Sequence, residues 1–182
     1  MPQQPTIWTI GHSTKSIAEF TDLLRAHEIA LLVDVRTIPR SRYNPQFNTE
    51  TLAESLKEAD LVYRHMSALG GLRKPGKDSI NNGWRNASFR GYADYMQTAE
   101  LLNALEELMM CGRQGPVAIM CAEAVPGRCH RSLVADALVS RNWEIRHITS
   151  HEQATPHVLT SFARFEKGRL IYPKPTDPLS LF

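Results

Sequence analysis

The stretch VAIMCAEAVPGRCHRSLVADALV, from Val117 to Val139, concentrates the reactive residue types of this chain. An apolar run delivers Cys121, a short loop carries Glu123, then come Arg128, Cys129, His130 and Arg131, and an apolar run at helical spacing follows. A cysteine that ends a strand and faces the first amides of a helix is placed to become a thiolate. The amides, the helix dipole and any inward-turned guanidinium of Arg128 or Arg131 all favour the anion. Cys121 is therefore the expected nucleophile, set against the plainer role of a small buried apolar residue. Glu123 is placed to move a proton or to order the loop through an ion pair. Cys121, Glu123, Cys129 and His130, with His12, also form a thiolate-imidazole set of the kind that binds metal. With no C-x-x-C pair, and with Cys129 and His130 adjacent, the spacing assigns no metal ligand.

A second group lies near the first third of the chain. Asp34 and Arg36 end an apolar run, and Arg36, Arg40 and Arg42 alternate with Ser41 and Tyr43. Guanidinium forks at this spacing suit phosphate or sulfate, or else form a solvated basic loop or a loop-loop strut. Cys111, before Gly112, carries no assigned role.

The elements that must position these residues follow from the apolar pattern. Thr6 to Ile10 reads as a strand that stops at Gly11-His12-Ser13, and Ser16-Ile17-Ala18-Glu19 reads as a capping box opening an amphipathic helix. Ala30 to Val35 is the next strand, Thr49 to Ala59 a helix, and Leu61-Val62-Tyr63 starts a third strand. A helix is expected over Tyr92 to Met110, a strand over Pro116 to Met120, a helix with its core at Ser132 to Ser140, and a strand over Glu144 to Ile148. Continuous apolar strands separated by helices predict a three-layer α/β/α fold with a mainly parallel, Rossmann-like sheet. The whole chain, 1–182, reads as one domain with its core at about 6–150 and an irregular end over 156–182. In such a sheet ligands bind along the carboxyl edge, where His12, Ser13, Asp34, Arg36, His65 and Cys121 through Arg131 should meet. The long polar segment from Gly71 to Arg90 is expected to close over that edge as a mobile cover.

Composition narrows the function classes. Twenty-one Lys and Arg against 19 Asp and Glu leave a formal charge of +2, too small a bias to announce a nucleic-acid protein. Three cysteines without repeated spacing make no disulfide framework, so a reducing compartment is expected. The start lacks signal-peptide character and no apolar run reaches membrane-spanning length, giving the expectation of a cytoplasmic protein with no membrane partner.

The segments IGHSTKSIAEFTDLL, LLVDVRTIPRSRYNPQFN, LGG, FRGYADYM and CAEAVPGRCHR, in this order, resemble the family catalogued as domain of unknown function 488, over about Thr6 to Ile148. The resemblance implies that the family's recurrent positions fall here on His12, Ser13, Asp34, Arg36, Pro39, Ser41, Phe47, Gly70, Gly71, Tyr92, Cys121, Glu123, Cys129, His130 and Arg131. The family has no established reaction, so the resemblance assigns positions rather than a substrate. LLVDVR, followed later by a strand, Cys121, a loop and a helix, is fainter in its likeness to rhodanese-like sulfurtransferases and their phosphatase relatives, which hold an oxyanion or persulfide in a cysteine loop. This chain departs from them in the loop length: six residues separate Cys121 from Arg128 and nine separate it from Arg131.

Taken together, the sequence leads to a cysteine-dependent enzyme acting on a small or nucleotide-like anionic substrate at the carboxyl edge. Its expected catalytic residues are Cys121, Glu123, His12 and Asp34. Its expected substrate-binding residues are Ser13, Arg36, Ser41, Arg42, Tyr92, Arg128, Cys129, His130 and Arg131. No cofactor is assigned. Two alternatives stand beside it. One is a nucleic-acid-associated module using Arg36, Arg40, Arg42, Arg73, Lys74, Lys77, Arg85 and Arg90 on phosphates and Trp84, Phe89 or Tyr43 on bases. The other is a metal-dependent hydrolase.

Overall fold

Apolar strands buried on both faces must be covered on both faces, and the computed structural model, which describes residues 4–175, shows how this is done. The elements run β1 (Thr6–Gly11), α1 (Ile17–Ala26), β2 (Leu31–Asp34), α2 (Thr49–Glu58), β3 (Val62–His65), α3 (Ala87–Tyr95), α4 (Ala99–Gln114), β4 (Val117–Cys121), α5 (Arg131–Val139), β5 (Glu144–Ile148) and β6 (Ala154–Pro156). They are followed by a separate hairpin of β7 (Arg164–Glu166) and β8 (Arg169–Ile171). The sheet has the order β3-β2-β4-β1-β5-β6; the first five strands are parallel and β6 is antiparallel.

Alternate strand residues divide between two cores. Ile7, Val33, Val117, Ile119 and Ile145 pack with Tyr92, Leu105, Leu108, Leu133 and Leu138 from α3, α4 and α5. Ile10, Leu32, Ala118 and Met120 pack with Phe20 and Leu24 of α1 and Leu52 and Leu56 of α2. This is the three-layer α/β/α arrangement. From β1 the chain steps outward to β2 and β3 with helices on one face, then returns to β4 and crosses to β5 with helices on the other. The connections after β1 and β4, which are neighbours, therefore part to opposite faces and leave a crevice at their carboxyl ends.

The expected capping box is present: the Ser16 hydroxyl accepts from the Glu19 amide and the Glu19 carboxylate accepts from the Ser16 amide. The single helix expected over Tyr92 to Met110 is two helices instead. Asn86 caps α3 and Thr98 caps α4, its hydroxyl accepting from the Leu101 amide at 3.3 Å, so the chain turns between them although the apolar spacing continues.

The end expected to be irregular carries structure. Beyond β6 and the hairpin, Tyr172 is buried and its hydroxyl donates to Asp136 on α5 at 2.9 Å. Residues 176–182 of that expectation lie outside the described residues. The segment expected to be a mobile cover is tied down: the Asp94 carboxylate accepts from the Gly76 amide, the Ser79 hydroxyl and the Asn81 side chain. Trp84 packs against Phe89, Phe162 and Tyr172. Among the described residues no helix is long and apolar enough to cross a membrane.

Candidate functional site

The carboxyl ends of β1, β2 and β4 are stitched together by their backbones. The His12 and Ser13 amides donate to the Cys121 and Ala122 carbonyls at 3.0 and 2.9 Å, and the Val35 amide donates to Met120 at 3.0 Å. The loop after β4 passes so close over β1 that a Cβ on Gly11 would lie 2.0 Å from the Glu123 carbonyl oxygen. Only glycine permits that crossing.

Asp34 and Arg36 form a buried strut. Arg36 donates through Nε to Oδ1 at 2.9 Å and through Nη2 to Oδ2 at 2.6 Å, and Nη2 also reaches the Phe47 carbonyl at 2.7 Å. The Tyr63 hydroxyl donates to the same carboxylate at 2.9 Å, and burial together with that negative charge pushes its pKa up. The bidentate grip engages the buried carboxylate with Arg36 and so orients the guanidinium. It turns Arg36 Nη1 toward His12 Nε2 at 3.4 Å. The His12 ring stacks on Phe47 with centroids 4.2 Å apart, and its Nδ1 donates to the Ser13 carbonyl at 2.8 Å. With Nδ1 protonated, Nε2 is the acceptor for Arg36. Burial first, opposed by the Ser13 hydrogen bond and aided by Arg36, pulls the His12 pKa down to about 4. The ring is neutral near pH 7, with both nitrogens engaged.

The cysteines depart from expectation in one respect. The first amide of α5 and the Arg131 Nε, each at 3.5 Å, point at the Cys129 sulfur, not at Cys121, and His130 Nδ1 lies 3.7 Å from the same sulfur. The hydrogen bond from Cys121 pulls the Cys129 pKa down, helped by His130 and Arg131 against burial; donating that bond, with burial, pushes Cys121 up. The two sulfurs titrate as a pair, and their surroundings favour the negative charge on Cys129. The reason is the single turn at Pro126–Arg128, which carries the chain back so that Cys129, two residues before the first α5 amide it meets, occupies the anion position. The loop does not close as an oxyanion cradle around Cys121: Arg128 is exposed, and Arg131 is buried with Nη1 on Thr9 Oγ1 at 3.3 Å and Nη2 on the Glu123 carbonyl.

A depression of about 280 Å³ opens at this edge. Cys121, His12, Arg36, Ser41 and His130 line it, together with Arg40, Thr37, Ile38, Gly71, Leu72 and Ala122. Ser13 and Glu123 line an adjoining hollow that shares His12, Ser41 and Ala122. Glu123 is exposed, its carboxylate accepting from the Val125 amide at 3.2 Å. Asp34, Cys129 and Arg131 stand behind the surface as supports. Tyr92 is also behind it, its hydroxyl on the Leu69 carbonyl at 2.8 Å and its ring 5.1 Å from that of His130. Arg42 and Arg128 are exposed and line neither hollow.

Sequence reasoning missed the apolar lips, Ile38 and Leu72, which are 63% and 76% exposed beside the cysteine. It also missed a buried chain leading away from Arg131. Thr9 Oγ1 lies 2.7 Å from His147 Nδ1, His147 Nε2 lies 3.0 Å from His157 Nδ1, and His157 Nε2 lies 2.8 Å from Asp136 Oδ1. Asp136 accepts only, so His157 donates to it, and the chain continues from His157 through His147 to Thr9. These partners come from distant segments, and no local pattern announces them.

The family model described as Domain of unknown function DUF488 matches residues 16–138, and the chain belongs to that family. No curated protein and no solved structure matches it.

Proposed function

We propose that this member of the family is a cysteine-dependent enzyme acting on a small or nucleotide-like anionic substrate at the carboxyl edge of its sheet. The observation that carries the reading is one shared depression, lined by Cys121, by Arg36 and Arg40, and by the apolar lips Ile38 and Leu72. Its volume, about 280 Å³, falls just below the ~300–1,000 Å³ typical of ligand pockets, which suits a small ligand. A ligand that joins an oxyanion to a flat apolar group fits this lining: the Arg40 guanidinium for the one, exposed aliphatic surface of Ile38 and Leu72 for the other.

Each residue then has a distinct role. Cys121 is the sulfur that faces the ligand, and Cys129, held by Arg131 and His130, is the partner with which it exchanges a proton. Asp34 fixes Arg36, and Arg36 with Ser13 fixes the neutral His12 ring. Arg40, paired among the described residues with the exposed Glu50 at 3.4 Å, is the cation that can swing onto an anion. The nucleic-acid reading draws less support, because the Arg73 guanidinium already stacks on Tyr95 at 3.6 Å and Trp84 and Phe89 pack on each other.

Calorimetric titration with adenosine monophosphate and with inorganic phosphate tests the reading. Binding of the nucleotide should exceed that of phosphate, and Arg40→Ala should weaken both by roughly tenfold, the size of one charge-assisted hydrogen bond. A wild-type chain that binds neither probe, or an unaffected Arg40→Ala variant, contradicts it.

A further inference from the structure

Cys121 ends β4, Cys129 lies just before α5, and His130 is the N-cap of α5. Adjacency of the last two does not keep their ligand atoms apart: both sulfurs and one His130 ring nitrogen lie within 4.8 Å of one another. The Cys129 Sγ to His130 Nδ1 separation is 3.7 Å. Zinc bonds of about 2.3 Å to sulfur and about 2.05 Å to nitrogen, spread at the tetrahedral angle, place the two ligand atoms ~3.6 Å apart. Neither backbone nor ring has to move to close that edge.

The imidazole is also in the right tautomer. Its Nε2 faces the Val35 carbonyl at 3.0 Å. A carbonyl only accepts, so Nε2 carries the hydrogen and Nδ1 presents its lone pair toward Cys129. A far nitrogen pinned by a carbonyl is how metal-bound histidines are aimed. Gly71 keeps the approach open, since a Cβ there would lie 3.0 Å from Nδ1. The Arg131 amide and Nε, both 3.5 Å from the Cys129 sulfur, supply hydrogen bonds around a ligating thiolate.

We propose that Cys121, Cys129 and His130 bind one soft divalent cation of the zinc class. The inference rests on the reading of the cysteine pair as the chemical centre. Two sulfurs and one imidazole, with no oxygen ligand among them, select against magnesium and calcium. Binding releases the proton shared by the two sulfurs to solvent and leaves both as thiolates. Because Cys121 and His130 line the depression, the fourth coordination position opens into it, the arrangement that distinguishes a catalytic from a structural zinc site. An anionic ligand held by Arg40 would meet the metal there.

Titration of the reduced, chelator-treated full chain with cobalt(II) reads this site directly. One cobalt per chain should bind, with sulfur-to-cobalt charge-transfer absorption and tetrahedral visible bands. Cys121→Ser and His130→Gln should each weaken binding by more than the ~10–100-fold that changes around a ligand shell cost, while Cys111→Ser leaves the titration unchanged. Cys121 is less buried than Cys129, so its serine variant tests the site even if a Cys129 variant fails to fold. A folded, reduced chain with no charge-transfer band in excess cobalt overturns the proposal, as does an unaltered titration in both variants. If cobalt is not bound but adenosine monophosphate is, the metal site falls and the anion pocket stands; if cobalt binds and neither nucleotide nor phosphate does, the reverse holds.

Discussion

The Arg131 Nε lies 3.5 Å from the Cys129 sulfur while its Nη1 reaches Thr9 on the central strand at 3.3 Å. One buried side chain thereby ties the thiol pair to the middle of the sheet, and its Nη2 holds the Glu123 carbonyl as well.

Arg131→Met keeps much of the volume and removes every one of those donors. Leaving the Glu123 carbonyl and the Thr9 hydroxyl without their donor should cost about 1–3 kcal/mol, seen as a lower urea midpoint with an unchanged slope. A variant as stable as the parent shows that the loop after β4 is held by its backbone contacts alone.

The Asp34–Arg36 strut predicts an asymmetry between two variants. Asp34→Asn leaves a buried guanidinium without its counter-charge and should destabilise by about 3–5 kcal/mol. Tyr63→Phe removes one hydrogen bond to the same carboxylate and should cost only about 1 kcal/mol. Equilibrium unfolding of both compares them; equal losses contradict the assignment of Asp34 as the support of Arg36.

Much of this architecture is legible before the structure. The runs at Ile29 to Val33 and Val117 to Met120 are apolar at consecutive positions, and Ile7 to Ile10 is broken only by Thr9, as strands of a sheet covered on both faces require; strand ends then bring His12, Arg36 and Cys121 to one edge. The owner of the thiolate is not legible. It depends on how far the turn at Pro126–Arg128 carries the chain, and the spacing of Cys121 and Cys129 from α5 allows either sulfur to meet the amides. The break at Thr98 is hidden because Tyr95, Ala99, Leu102 and Leu105 recur at spacings of three and four across it. Strands of three residues, such as β7 and β8, are too short to show a period. Asp136 lies inside an apolar run, and what makes a buried carboxylate tolerable there are His157, Thr160 and Tyr172, known only once the chain has folded back.

Acid should destabilise the fold earlier than its carboxylates require. His12 and His147 both lie near 4 in the folded chain against an ordinary 6.5, in each case chiefly through burial, with His157 and Arg131 adding to the effect at His147. Between those values the unfolded chain takes up protons that the folded chain refuses. Stability is therefore full above about pH 6.5 and falls as the pH drops toward 4. His147→Gln should flatten the decline by up to about one proton, measured as urea midpoints across this range. A wild-type chain whose stability is level or rises on acidification from pH 6.5 to 5 contradicts the neutral, buried histidines.

The most direct measurement of the central claim is site-resolved alkylation of the reduced, chelator-treated chain with N-ethylmaleimide, with and without adenosine monophosphate. Cys121 lines the depression and Cys111 lies on α4 beside Arg64, so a ligand in the depression shields one and not the other. The nucleotide should slow modification of Cys121 and leave the rate at Cys111 unchanged, with Arg40→Ala abolishing the protection at the same concentration. Modification of Cys121 at one rate whatever the nucleotide or phosphate concentration, or only after unfolding, would show that the thiol does not share its pocket with an anionic ligand.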